Sequence, residues 1–211
     1  MLAWVRQIIA PSLAASGLAT VDRRVNAAII GVAAAAVFVS IAIAPDMRGA
    51  AAAGLAVIMV MIAAIDARQL IIPDELSAAA FVLGLVHAAF EDADAWVDAI
   101  AAAVLRAIML ALVFMALRMM YRWLRGRHGI GLGDVKLAAV AGAWLDWLMI
   151  PIAIEIAALA ALAFYLARQF ALDRSVRPFS ALPFGLFFAP AIWLGWVLHV
   201  MPLTRLETAW S

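Results

Sequence analysis

Apolar runs long enough to cross a lipid bilayer follow one another along most of this 211-residue chain. A membrane-spanning helix needs about 20 predominantly apolar residues, because the hydrocarbon layer is about 30 Å thick and a helix rises about 1.5 Å per residue. Hydrophobic residues make up 69% of the sequence and the mean hydropathy is +1.08, whereas a soluble domain is about half apolar. The sequence therefore predicts an all-α, polytopic integral membrane protein.

Short charged loops divide the apolar sequence into seven expected membrane spans, a six-helix core preceded by one N-terminal span. The expected spans are residues 27–44, 49–65, 76–90, 96–117, 135–147, 148–167 and 181–201, of which the third and fifth are short. We expect three parts in the chain: a cytoplasmic or interfacial lead-in (1–26), a membrane domain (27–201) and a C-terminal tail (202–211).

The basic residues predict the orientation of the spans, since Lys and Arg collect in the cytoplasmic loops of membrane proteins. With seven spans, every Lys and Arg except Arg48, Arg106 and Arg205 falls on the same side as the N-terminus. We therefore expect a cytoplasmic N-terminus and a periplasmic C-terminus. Two aspartates, Asp66 and Asp134, then lie at the cytoplasmic ends of their spans.

These two aspartates are the candidate catalytic groups. Asp66 ends an apolar run at a helix C-terminus, where the helix dipole disfavours an anion; the structural alternatives are a pair with Arg68 or exposure to water. Asp134 lies between a basic loop and the fifth span, where a helix N-cap is the alternative role. Two carboxylates at one site retain a shared proton, so one activates water while the other polarises a peptide carbonyl.

Residues near the two aspartates have both functional and structural interpretations. Lys136 either sets the ionisation of one aspartate or extends its amine to the membrane surface, and Arg68 offers the same charge to Asp66. Pro73 and Asp74 predict the start of the third span, with Asp74 as its cap. The chain has no cysteine and only three scattered histidines, so we expect neither a catalytic metal nor a thiolate nucleophile.

Three motifs resemble those of a known family of membrane proteases. Gly131-Leu132-Gly133-Asp134 resembles the GxGD signature of membrane aspartyl proteases. Asp66 with Pro73-Asp74, and Gly133-Asp134 with Lys136-Leu137, resemble the two motifs of the prepilin peptidases, also called type IV leader peptidases. Pro183-Phe184-Gly185 resembles the Pro-Phe-Gly segment of that family, although Leu186 follows it where the family often has proline.

The resemblance implies a catalytic pair and a set of residues that support it. The catalytic pair would be Asp66 and Asp134. The supporting residues would be Gly131, Gly133, Lys136, Arg68, Pro73, Asp74, Pro183 and Gly185. Presenilin-like proteases share GxGD but usually have Tyr-Asp at the first site and a later Pro-Ala-Leu, whereas Ile65 precedes Asp66 here and no Pro-Ala-Leu follows.

The resemblance also implies substrates and cofactors. The substrates would be prepilins or pseudopilins of type IV pili and type II secretion, whose short basic leader is cut at the cytoplasmic face before an apolar helix. Many family members also N-methylate the product with S-adenosylmethionine. This chain has neither paired cysteines nor a glycine-rich methyl-donor fingerprint, so we expect S-adenosylmethionine only if that second activity exists. We expect no nucleic-acid partner.

Two other classes of function remain open from the sequence. A proton- or ion-coupled transporter is one, because charged residues inside spans often mark ion paths and Arg106 and Glu155 lie inside spans. A non-catalytic subunit of a membrane assembly is the other. From their depths along the fourth and sixth spans, we expect Arg106 and Glu155 to form an ion pair.

Overall fold

Seven α-helices follow one another in the computed structural model, which describes residues 19–91, 94–126, 129–172 and 183–201. Every regular element within these ranges is helical, so the predicted all-α class is confirmed. The helices are α1 (Ala19–Ile43), α2 (Met47–Gln69), α3 (Asp74–Glu91), α4 (Trp96–Arg125), α5 (Leu132–Trp144), α6 (Met149–Leu172) and α7 (Gly185–Val200).

Four of the described helices are long and apolar enough to cross a membrane. They are Val25–Ile43 within α1, the whole of α2 and α4, and Met149–Gln169 within α6. The helices α3, α5 and α7 have 18, 13 and 16 residues, which matches the short third and fifth spans expected from the sequence. A multi-pass helical membrane bundle is therefore confirmed, with seven described helices in the predicted order.

The short helix α5 lies at the centre of the bundle. It packs against α3, α4 and α7, and eight of its residues are buried, from Val135 to Trp144. With 13 residues it is about 20 Å long, shorter than the hydrocarbon layer. Surrounding helices rather than lipid therefore cover most of its surface.

The described helices alternate in direction, so their ends form two groups. At one end, the last turn of α2 meets the first turn of α7, and Ile72 in the α2–α3 connection meets the first turns of α5 and α7. At the other end, the α1–α2 and α5–α6 turns and the last turns of α3 and α7 surround a cavity of about 680 Å³.

Asp46 caps α2 at the end of the bundle that contains this cavity. Arg48 donates to the carboxylate of Asp46 and holds the pKa of that group below its ordinary value.

Gly142 brings α4 and α5 into backbone contact. A Cβ atom at this position would lie 2.6 Å from the backbone N and Cα of Ala107. We expect Gly142→Ala to lower the free energy of unfolding by about 1–3 kcal/mol, because two backbones must separate to accept the methyl group. Thermal unfolding in detergent measures this, with Gly31→Ala as the control, since a Cβ there meets nothing within 4 Å. Equal melting temperatures for the two variants would contradict the contact.

The expected ion pair between Arg106 and Glu155 is wrong. Arg106 donates from Nε to the carbonyl oxygen of Gly142 at 3.2 Å, whereas Glu155 is exposed. In the part of the chain that the structure describes, no salt bridge joins them. The reason is the packing: α4 packs mainly against α5, and α6 packs mainly against α7.

The predicted division into lead-in, membrane domain and tail stays a prediction. Residues 1–18 of the lead-in and the tail 202–211 lie outside the described residues. The helix α1 already includes Ala19–Asn26, which the sequence analysis assigned to the lead-in. Arg127 and His128 of the basic loop also lie outside the described residues.

Candidate active site

Asp66 is buried at the meeting point of two helix ends. It lies in the last turn of α2 and is 5% exposed, and its Oδ2 accepts a hydrogen bond from the backbone N–H of Leu186 at 2.9 Å. Leu186 is in the first turn of α7, where backbone N–H groups lack partners within the helix and the dipole favours an anion. The start of α7 therefore offsets the unfavourable position of Asp66 at the end of α2.

Two structural alternatives to a catalytic role were open for Asp66, namely exposure to water and an ion pair with Arg68. Exposure to water is excluded by its burial. Arg68 donates from Nη2 to the side chain of Asn26 at 3.1 Å, which connects the ends of α1 and α2. The family that the sequence resembles often has proline at the position of Leu186. Proline has no N–H group, so it could not donate this hydrogen bond to Asp66.

Asp134 is in the first turn of α5, at its third residue. Its Oδ2 accepts a hydrogen bond from the backbone N–H of Gly131 at 3.0 Å, which is the second half of a capping box. Gly131 occupies the N-cap position. The alternative role expected for Asp134, that of N-cap, is therefore wrong, because the cap lies three residues earlier. The bond holds the half-buried carboxyl group in one orientation at the start of the helix.

Ile72 lies between Gly133, the residue before Asp134, and Gly185, which is next to Asp66. A Cβ atom on Gly133 would lie 2.8 Å from Cδ1 of Ile72, and one on Gly185 would lie 2.9 Å from the same atom. The same Cβ on Gly185 would lie 2.8 Å from Oδ2 of Asp66. The charge of Asp66 also acts on the carboxyl group of Asp134. Asp66 and the residue before Asp134 therefore border one small region, in which two glycines leave room for a buried isoleucine.

Ile72 was not among the residues that the sequence motifs indicated. Its only signal was an apolar pair, Ile71-Ile72, in a loop between two charged segments. Ile71 is exposed, but Ile72 is only 7% exposed. An apolar residue in so short a polar connection is typical of a side chain that packs back against the helices, here between the starts of α5 and α7.

Lys136 and Asp74 form an ion pair with each other at the same end of the bundle. Nζ of Lys136 bonds Oδ1 of Asp74, linking α5 to α3. The described ion pair of Lys136 is thus with Asp74 rather than with Asp66 or Asp134. Asp74 is the first residue of α3 and not its cap, because the carbonyl of Pro73 accepts the N–H of Ser77 at 3.2 Å.

The segment Pro183-Phe184-Gly185 lies directly before and at the start of α7. Gly185 is in contact distance of Asp66, as described above. The ring of Phe184 packs on Phe188 at 5.4 Å, and Phe188 stacks on Phe114 of α4 at 5.7 Å. These aromatic contacts fix the start of α7, and with it the N–H group that binds Asp66.

The resulting site contains two carboxyl groups and two backbone N–H donors. Among the described residues, no group of three or more His, Cys, Asp or Glu side chains is arranged to hold a metal ion. Each aspartate uses Oδ2 for its backbone bond. In general, two carboxyl groups that share a site can hold one proton between them and exchange it with a bound water.

The sequence was compared with known proteins. Residues 53–166, more than half of the chain and including both aspartates, match the model of the type IV leader peptidase family. No solved structure matches the chain.

The chain is similar to several curated bacterial proteins, each named prepilin leader peptidase/N-methyltransferase. The protein of Dickeya chrysanthemi is 36% identical over 147 residues, which is 68% of this chain and 49% of that protein. That of Burkholderia pseudomallei strain 1026b is 34% identical over 69% of this chain and 45% of its own length. That of Aeromonas hydrophila is 30% identical over 75% and 52%. This chain therefore spans about half the length of the curated relatives it matches. It belongs to the type IV leader peptidase family, as a multi-pass protein of the bacterial inner membrane.

Proposed function

We propose that this protein is a membrane aspartic endopeptidase that removes the short basic leader from prepilin- or pseudopilin-like substrates, with Asp66 and Asp134 as its catalytic pair. One observation carries the proposal: the buried Ile72 lies against both Gly133, the residue before Asp134, and Gly185, which is next to Asp66, so the end of α2 and the start of α5 come together there. Family membership supports the reaction class and the kind of substrate. The proposal covers the peptidase reaction and no methyl transfer, and it requires no cofactor.

The reaction follows from one proton shared by two carboxyl groups. The ionised carboxylate takes a proton from water while the water oxygen bonds to the carbonyl carbon of the scissile peptide. The protonated carboxyl donates to the carbonyl oxygen and so stabilises the negative charge that develops there. The C–N bond then breaks, and the amine leaves with a proton from the pair, so the pair ends with one proton as it began.

The position of the site fits a substrate that is cut next to an apolar helix. Asp66 is in the last turn of α2 and Asp134 in the first turn of α5, at the same bundle end as the exposed basic residues Arg122 and Arg125 in the last turn of α4. By the positive-inside rule this end is cytoplasmic. A substrate helix in the bilayer would then bring its leader to the pair without leaving the membrane.

A cleavage assay tests the proposed function. The purified protein in lipid is incubated with a prepilin-like substrate, and the product is identified by mass and N-terminal sequence. We expect one product that begins at the boundary between basic leader and apolar helix, at a rate that EDTA leaves unchanged. If no substrate in a panel of prepilins and pseudopilins is cut, the peptidase assignment fails and a transporter or an assembly subunit is favoured.

Reporter fusions test the proposed orientation. A reporter after Ser211 is expected to be periplasmic, and one inserted between Gly126 and Gly129, after the end of α4, is expected to be cytoplasmic, because the seven spans put these positions on opposite sides. Alkaline phosphatase and green fluorescent protein fusions give opposite signals on the two sides. Both fusions on one side would contradict the seven-span topology.

A further inference from the structure

Arg118 lies near the end of α4 and binds the loop that precedes Asp134. Its Nη1 donates to the carbonyl oxygen of Ile130 at 2.6 Å. The side chain is half-buried, although its neighbours Leu117 and Met119 are exposed. The side chain of Arg118 therefore turns toward the rest of the protein, whereas the neighbouring side chains on α4 face outward.

The next atoms along the chain complete a connection to Asp134. The carbonyl group of Ile130 and the N–H group of Gly131 belong to one peptide unit, and that N–H donates to Oδ2 of Asp134 at 3.0 Å. A peptide unit is planar and rigid. One peptide unit thus accepts a hydrogen bond from a cation on one edge and donates one to a carboxyl group on the other. Hydrogen bonds in such a chain polarise and strengthen one another.

We propose that Arg118 is a positioning residue for the leader-peptidase reaction, because it fixes the Ile130–Gly131 peptide unit that orients the carboxyl group of Asp134. The inference rests on the proposed function, in which Asp134 reacts, but its structural part can be measured without activity. A guanidinium suits this role, since it stays charged and its donors have a fixed planar geometry.

A general role in membrane orientation is the competing explanation for a basic residue here. Arg122 has the same charge, is one helical turn further along α4 and is exposed. A residue needed only for its positive charge near the membrane surface should therefore behave like Arg122. Arg122→Met is the matched control for Arg118→Met, because both remove one cation from the same end of α4.

The first measurement is the amide signal of Gly131 in protein labelled with ¹⁵N-glycine. The chain has 12 glycines, so the spectrum is simple, and the Gly131 signal is identified by its loss in Gly131→Ala. We expect a downfield amide proton in the wild type, and an upfield shift in Arg118→Met toward its position in Asp134→Asn. Arg122→Met should leave it in place. An unchanged Gly131 signal in Arg118→Met would overturn the proposal, whether or not the protein cleaves any substrate.

The second measurement is the kinetics of leader cleavage. Arg118→Met is expected to lower kcat by about 10- to 100-fold with KM within about twofold, because misplacement of a catalytic group slows the chemical step. Added methylguanidinium should recover part of the rate, which it would not do for a purely structural loss. A raised KM with normal kcat, or an equal loss in Arg122→Met, would overturn the positioning role.

The variants also separate the two proposals. A wild-type protein without cleavage activity refutes the proposed function, and the Gly131 signal still decides whether Arg118 orients Asp134. If Arg118→Met fails to insert, Arg118→Lys replaces it, since it keeps the charge but loses the planar donors. We then expect an intermediate Gly131 shift and an intermediate kcat, and wild-type values for both would refute the role of the guanidinium.

Discussion

Asp66→Asn and Asp134→Asn are each expected to lower the rate of leader cleavage by about 100- to 10,000-fold, the range typical for the loss of a general acid or base. Asparagine keeps the shape of aspartate and can still accept from Leu186 or Gly131, but it cannot exchange the shared proton. The measurement is single-turnover cleavage in lipid, with protein recovery and helix content checked for each variant.

Two further variants make this result specific. The double variant Asp66→Asn, Asp134→Asn should be no slower than the slower single variant, because residues that act as a unit are not additive. Asp46→Asn is the control for the chemical change, since Asp46 caps α2 at the opposite end of the bundle and asparagine also caps helices. Near-normal turnover in either single variant would contradict the shared-proton mechanism.

Gly185→Ala is expected to lower kcat by about 100-fold or more without unfolding the protein. The added Cβ would lie 2.8 Å from Oδ2 of Asp66 and 2.9 Å from Cδ1 of Ile72, closer than carbon and oxygen atoms can approach. Asp66 must therefore turn away and lose its bond to Leu186, and misplacement of a reacting group by about 1 Å can cost a factor of 100.

Gly195→Ala is the matched control on the same helix. Its Cβ would meet flexible side-chain atoms of Leu145 at 3.1 and 3.2 Å, at the end of α7 away from Asp66. We expect a modest change in melting temperature and a normal kcat. If Gly185→Ala cleaves as fast as Gly195→Ala, then the start of α7 does not hold Asp66 in its reactive orientation.

The sequence indicated that Asp66 is unusual, because an acid at a helix C-terminus requires an unusual partner. It was not sufficient to identify that partner. The N–H group of Leu186 lies 120 positions further along the chain, and only the packing of α7 against α2 brings it to Asp66. The local contact of Asp134 was predicted only in part: the sequence located Asp134 at the start of a helix, but the N-cap is Gly131, three residues earlier.

The error over Arg106 and Glu155 has a clear physical origin. The number of residues from a span end gives the depth of a side chain in the membrane, but not the direction in which it points around the helix axis. Glu155 lies on the exposed side of α6, and Arg106 faces α5. The apolar residues of membrane helices lie on all sides, so hydrophobic periodicity gives little information about which face is buried.

Lys136 illustrates the same limit at closer range. It is two residues after Asp134, so the sequence suggested that its charge acts on the catalytic pair. Two residues along a helix are separated by about 200° around the axis, and the Lys136 amine instead binds Asp74 on α3. Proximity along the chain predicted the correct end of the bundle, but the bond to Asp74 depends on the packing of α3 against α5.

The central claim is that Asp66 and Asp134 meet at one site, and cysteine cross-linking tests it most directly. The chain has no cysteine, so Asp66→Cys with Asp134→Cys introduces the only two thiols, and Asp46→Cys with Asp134→Cys is the control at opposite bundle ends. A short bifunctional thiol reagent in the membrane, followed by intact mass measurement, counts the reagents bound per chain. We predict one reagent bridging both thiols in the first variant and two separate reagents in the control; two separate reagents in both variants would contradict the claim.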